Sequence, residues 1–140
     1  MLDKRKFYIN GKWVSPSKPN DLDVIDPCTE ETVAVISLGS KDDTNAAVSA
    51  AKTAFESWKE SSKEERVALL EKLLTIYKKR YSEMVDAISL EMGAPADWSK
   101  DVQTASGQSH IEDFILRLKE FEFDKKFSPE SNNRICYEPI

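Results

Sequence analysis

Ser62-Lys-Glu-Glu-Arg-Val-Ala-Leu-Leu-Glu-Lys-Leu-Leu-Thr-Ile-Tyr77 decides how this chain is read. Ser62 and Glu65 stand in the Ser-x-x-Glu spacing of a capping box, where each side chain satisfies an amide that the first helical turn leaves free. From there Val67, Leu70, Leu74, Tyr77, Tyr81, Met84 and Ile88 step by three and four residues, the period of one helix face. Gly93 suits the left-handed position past a helix end, and Pro95 prevents further winding. The spacing therefore predicts one helix over 63–92. Leu69, Leu73, Ile76 and Val85 widen the stripe beyond a coiled-coil seam. A wide stripe belongs to a core helix covered by neighbours on more than one side.

Two more helices flank this one. Ser40 or Asp42 can cap a helix over about 41–60, with Ala47, Val48, Ala51, Ala54, Phe55 and Trp58 at helical spacings. A third runs over about 96–121, with Val102, Ala105, Phe114, Ile115 and Leu118 facing inward. Toward the N-terminus the pattern changes. Phe7 to Val14 puts Asn10-Gly11 between two apolar, aromatic-rich arms, and Asn-Gly tolerates the positive φ angles of a tight hairpin turn. Ser15 to Asp21 is a loop interrupted by prolines. Leu22–Ile25 and Thr32–Leu38 read as strands around a turn over Asp26–Glu31, and Gly39 closes the second. Beyond the third helix, Asp124–Asn133 reads as a connecting loop, and Arg134–Tyr137 as the start of a strand. The fold class is α/β, with a hairpin and short strands at 7–38 followed by three helices.

With 140 residues and 15.9 kDa, the chain is long enough for a real core. Its net charge of -5 and its lysines interleaved with acids exclude the basic patch of a nucleic-acid binder. No apolar run approaches the roughly 20 residues that cross a bilayer, and the charged opening Met1–Tyr8 lacks the apolar core of a secretory signal. Cys28 and Cys136 are too few for a disulfide framework and read as reduced thiols of a cytoplasmic protein.

Chemistry-bearing constellations are missing. The nearest glycines, Gly93 and Gly107, stand 14 positions apart, so no phosphate-cradling loop can form from them. His110 is the single histidine, and Cys28, Cys136 and His110 show no zinc-ligand spacing. Cys28 lies in a polar turn and Cys136 in an apolar strand, where it reads as a core or interface residue, and neither has an activating base beside it in sequence. The acids follow exposed helical positions and mark no catalytic pair.

The order of segments is nevertheless specific. Tyr8-Ile-Asn-Gly-Lys-Trp13 is followed by Val24-Ile-Asp-Pro-Cys-Thr-Glu30 and Val33-Ala-Val-Ile36. Then come Asn45-Ala-Ala-Val-Ser-Ala-Ala-Lys-Thr-Ala-Phe-Glu-Ser-Trp58, Glu65-Arg-Val-Ala-Leu-Leu-Glu71 and Leu90-Glu-Met-Gly-Ala-Pro95. Across essentially the whole chain this string resembles the N-terminal region of NAD(P)-dependent aldehyde dehydrogenases. Tyr137-Glu-Pro-Ile140 resembles that family's Arg-Glu-Pro-Ile-Gly-Val segment up to the glycine.

The resemblance implies the N-terminal part of the aldehyde dehydrogenase fold. Residues 1–132 would supply outer strands and helices of the cofactor-binding domain, and 133–140 would begin a strand of the oligomerisation arm. The family oxidises aldehydes to carboxylic acids through a cysteine nucleophile, a glutamate and an oxyanion-holding asparagine, with NAD or NADP as hydride acceptor. All three residues are expected beyond Ile140, so the chain has no catalytic and no cofactor-binding residue of its own. It is expected to be inactive alone, to bind no NAD(P), and to act as a scaffold or assembly segment. Its expected partners are the remainder of an aldehyde dehydrogenase or further copies in an oligomer, with no nucleic acid and no membrane. Some members hold a structural monovalent cation, and the matching positions are the main-chain carbonyl of Ile25 and the amide of Gln103, where the family has an acid. The alternative is a stand-alone helical interaction module that binds full-length subunits or interferes with their assembly.

Overall fold

Asn10 and Gly11 take φ angles of 51° and 74°, the paired positive values of a type I′ turn. They close a hairpin between β2 (Phe7–Ile9) and β3 (Lys12–Val14), and Tyr8 meets Trp13 across it with ring centroids 5.2 Å apart. The computed structural model of the chain describes residues 1–130 and 132–138. A separate three-stranded sheet has the order β1–β5–β4. Its strands are β1 (Leu2–Asp3), β4 (Asp21–Ile25) and β5 (Thr32–Ser37). β4 pairs antiparallel with β5, and β1 pairs parallel to it. The two-residue β1 had no signal in the sequence, because its pairing depends on a distant partner rather than on its own pattern. Ala34 and Val35 of the central strand are buried, as Val-rich residues flanked on both edges should be.

Among the described residues five α-helical segments and one π turn follow. α1 (Lys41–Trp58) is capped by Ser40, with Asp43 rather than a glutamate completing the box. α2 (Lys63–Lys79) opens on the Ser62/Glu65 box. The helix expected over 63–92 is two helices. Arg80 leaves helical geometry at φ -102°, ψ 18°, and α3 (Tyr81–Met92) starts after it. The three-four spacing of apolar residues continues through the break, so periodicity alone could not register it. The helix expected over 96–121 is also divided. Ala96–Trp98 forms one turn, α4, then Ser99–Thr104 widens into a π-helical turn, and α5 spans Ala105–Glu120.

α5 lies antiparallel against α2, with ion pairs Glu71–Lys119 and Lys78–Glu112, each at 2.7 Å, at successive points along the pair. Ile115 is buried, and Leu70, Leu74 and Leu118 are half-buried. Phe114 and Val102, expected to face inward, are exposed, Phe114 at 69%. Leu69, Leu73 and Ile76, the second edge of the wide stripe, are exposed too. The stripe is present, but among the described residues its Leu69, Leu73 and Ile76 edge stays uncovered. Asp124–Lys126 (β6) and Arg134–Cys136 (β7) form an antiparallel hairpin, so the stretch read as a loop begins as a strand. Lysine-rich and wholly exposed, β6 has no apolar alternation to betray it. Pro139 and Ile140, the end of the expected arm strand, lie outside the described residues, and β7 ends at Cys136.

Asp43 ties the loop before the sheet to the start of α1. It accepts from the Ser17 amide at 2.9 Å, the Ser40 amide at 2.9 Å and the Ser40 hydroxyl at 2.8 Å. These bonds, the Ser17 amide first, hold its carboxyl near pKa 2 instead of 3.8. A depressed folded-state value stabilises the fold above the unfolded pKa and loses that contribution as pH falls through the folded one. Asp43→Asn should lower the denaturation midpoint at neutral pH. The gap from wild type should shrink between about pH 4 and pH 2. Denaturant titrations at neutral and acid pH check this, and a gap of constant size would contradict it.

Candidate functional site at the wide helical turn

Gly93 ends α3 in the left-handed region at φ 65°. A side chain there is excluded twice. The φ angle disfavours it, and an added Cβ would lie 2.6 Å from Pro27 Cγ. The turn over 26–30 is therefore seated directly on the end of α3. Asp26 shapes that turn. Its carboxylate accepts the Cys28 amide at 2.7 Å, its carbonyl accepts the Glu30 amide at 2.8 Å, and its own amide donates to the Glu31 carbonyl at 3.0 Å. The Cys28 thiol points at the Gly93 carbonyl, 3.7 Å away.

Beyond Gly93 the chain passes into a polar, covered region. Ser99 and Thr104, the first and last residues of the π turn, are both fully buried. The Ser89 hydroxyl donates to Ser99 Oγ at 3.0 Å, and Ser99 lies within reach of the Ala94 carbonyl at 3.5 Å and Gln103 Oε1 at 3.4 Å. From α2, the Tyr77 hydroxyl donates to the Thr104 carbonyl at 2.9 Å. From α3, the Tyr81 hydroxyl donates to the Lys100 carbonyl at 2.6 Å. Burial raises the pKa of Tyr77, which keeps it a donor. Wide turns of this kind recur at functional positions in helices. The sequence reading missed Tyr77, Tyr81, Ser99 and Thr104 because it treated the tyrosines as apolar and the hydroxyls as surface. The four-residue spacing of the tyrosines was the available signal.

Ile25 sits at the end of β4, beside a register irregularity between Val24 and Ile25. Gln103 is half-buried inside the π turn, with its amide oxygen facing Ser99. Among the described residues no hydrogen bond joins the two. A main-chain carbonyl and a carboxamide are neutral oxygen donors. That set suits a monovalent ion at most, since no carboxylate offsets a higher charge. Among the described residues no group of three or more His, Cys, Asp or Glu could hold a metal.

The thiols are separate and free. Cys136, read as a core or interface residue, is exposed and so is not in a core; the paired strand β6 is exposed throughout. Desolvation and then the charge of Asp124, whose carboxylate lies 3.6 Å from the sulfur, raise its pKa. This is the opposite of activation for nucleophilic attack.

The model of the aldehyde dehydrogenase family matches residues 13–140. The chain belongs to the aldehyde dehydrogenase family. The crystal structure of an aldehyde dehydrogenase from Bartonella henselae superposes with a TM-score of 0.92 at 55% identity, over 94% of this chain and 28% of that one. A mutant aldehyde dehydrogenase C from Pseudomonas syringae, complexed with NAD+ and octanal, gives 0.86 at 34% identity, over 89% and 26%. The 3-succinoylsemialdehyde-pyridine dehydrogenase of a Pseudomonas species is 35% identical over 99% of this chain and 29% of its own length. The chain thus spans less than a third of the relatives it matches. The α/β fold expected from the family's N-terminal portion is the fold observed.

The seat of the 26–30 turn on α3 gives a direct test. Gly93→Ala should destabilise the fold by about 1 kcal/mol or more, read from the denaturant midpoint, whereas Gly39→Ala, whose added Cβ meets only Phe7 at 3.8 Å, should change it far less. Equal effects would mean that the turn is not held against the helix end.

Proposed function

We propose that these residues are a scaffold segment that works within a larger aldehyde dehydrogenase assembly. Residues 1–132 form an outer part of the cofactor-binding domain, and 133–140 begin the oligomerisation arm. The surface carries this reading. The chain exposes 10866 Å², against about 7,400 Å² for a compact monomer of its mass. Among the described residues only Ala34, Val35 and Ile115 are buried hydrophobics, while Trp13, Leu73, Phe114 and many other large apolar side chains are exposed. Such an excess marks surface built to be covered, and the remainder of an aldehyde dehydrogenase is the covering this family offers.

The reaction of the whole is NAD(P)-dependent oxidation of an aldehyde to a carboxylic acid. NAD+ in the structure of the Pseudomonas syringae relative supports the cofactor. The segment alone turns nothing over. The Cys136 thiol is held above its usual pKa, chiefly by desolvation and Asp124, and the nearest glycines stand too far apart in sequence for a phosphate cradle. The free thiols Cys28 and Cys136 support a cytoplasmic setting; among the described residues no helix is long and apolar enough to cross a membrane. The exposed apolar area also favours a second reading, a module that binds aldehyde dehydrogenase subunits. The two differ in whether the bound state completes an active enzyme.

Pure chain mixed with NAD or NADP and a panel of aldehydes should give no absorbance at the reduced-nicotinamide band. Clear turnover by the pure chain would overturn the scaffold reading. For the cation position, Ile25 and Gln103 predict that sodium or potassium chloride raises the melting temperature slightly above choline chloride at equal ionic strength. Gln103→Asp, which adds the missing charge, should enlarge that difference, and the same melting temperature in all three salts would remove the site.

A further inference from the structure

Tyr77, near the end of α2, and Tyr81, the first residue of α3, flank the break at Arg80, with ring centroids 6.3 Å from each other at 84°. The carbonyls they reach, Thr104 and Lys100, are likewise four residues apart. Two donors, one on each side of the Arg80 break, thus match two acceptors on the facing turn. Those acceptors lie inside the π turn Ser99–Thr104. A π turn carries one residue more than the α-helical ladder accommodates and directs carbonyls sideways, so it persists where lateral groups satisfy the backbone. Each lateral donor here is a phenol. A further hydroxyl, that of Ser106, takes the Val102 carbonyl at 2.7 Å from within the helix.

Gly107 admits the first tyrosine. A Cβ at that position would lie 2.4 Å from the Tyr77 hydroxyl and 3.1 Å from Cζ, so any side chain would displace the ring that reaches Thr104. The hydroxyl of Thr104 is buried without a hydrogen-bond partner.

We propose that Ser99–Thr104 is a two-register element. The hydroxyls of Tyr77 and Tyr81 hold it in the wide register, and Gly107 is the residue that lets Tyr77 do so. Without the lateral donors the segment returns to an α-helical ladder, and Ser99 and Gln103 turn away from the positions they occupy at the end of α3. Tyr77 and Tyr81 are positioning residues in this sense.

The test uses Tyr77→Phe, Tyr81→Phe, Gly107→Ala and the double variant Tyr77→Phe/Gly107→Ala in the 140-residue chain, read by nuclear magnetic resonance. Each Tyr→Phe change keeps the ring and removes only the donor. The ratio of wide to narrow register, from Cα shifts and relaxation dispersion over 99–106, should move about three- to tenfold toward narrow for each lost hydroxyl. Resonances of β4 and β5 should stay in place. The double variant should shift no further than Gly107→Ala alone, because both changes break one bond. Unchanged signals over 99–106 in both Tyr→Phe variants would overturn the proposal. So would a disturbance equally large in β4 and β5, or a double variant whose effect is the product of the single ones.

Discussion

Tyr77 laid across Gly107, with its hydroxyl on the Thr104 carbonyl, is the contact around which the helical layer is arranged. It sets the approach of α2 and α5 where they cross nearest the π turn. The Glu71–Lys119 ion pair then lies toward the other end of the interface. Both ion pairs of that interface are about half exposed, so they contribute little stability and chiefly keep register. The tyrosine is different in kind, since it satisfies a backbone acceptor that the wide turn exposes. Through Ser99 and Ala94 the same turn reaches Gly93, and through Gly93 the turn at 26–30 that leads into the sheet. One short polar route therefore connects the helices to the strands, in a chain whose apolar core is small.

That small core is the second constraint. Strong local signals surround it: two complete capping boxes, a type I′ hairpin turn and a left-handed helix terminus at Gly93. Each is worth on the order of 1 kcal/mol, and none replaces burial of the outer edge of the α2 stripe. Secondary structure is specified locally, while many large apolar side chains stay exposed. In the family to which the chain belongs, the matched proteins are more than three times its length. On the proposed reading, scaffold and covering are parts of one cooperative body.

Local elements were legible because their causes are local. Ser62 with Glu65, Asn10 with Gly11, and Gly93 before Pro95 each declare an element boundary through a few neighbouring residues. The features that escaped depend on distant partners. Leu2–Asp3 becomes a strand only beside Ala34 and Val35, and Asp124–Lys126 only beside Arg134–Cys136. The break at Arg80 preserves apolar spacing, so periodicity passes through it, whereas the π turn adds a residue, and Val102 and Phe114, placed inward by an α-helical period, are exposed. The cation position was named through resemblance alone. The physical setting of Gln103, facing a buried Ser99 within a widened turn, could not be seen from its place in the sequence.

The central claim is that the exposed apolar faces of this segment are covered in its working state by the remainder of an aldehyde dehydrogenase. Hydrogen exchange of α2 and α5, measured for the segment alone and after co-expression with the complementary part of a family member, addresses it most directly. The account predicts a stable complex in which the Leu69–Ile76 stretch of α2 and the stretch around Phe114 become strongly protected. A segment that stays monomeric beside its complement, with unchanged exchange in both helices and a sharp melt of its own at high temperature, would contradict it.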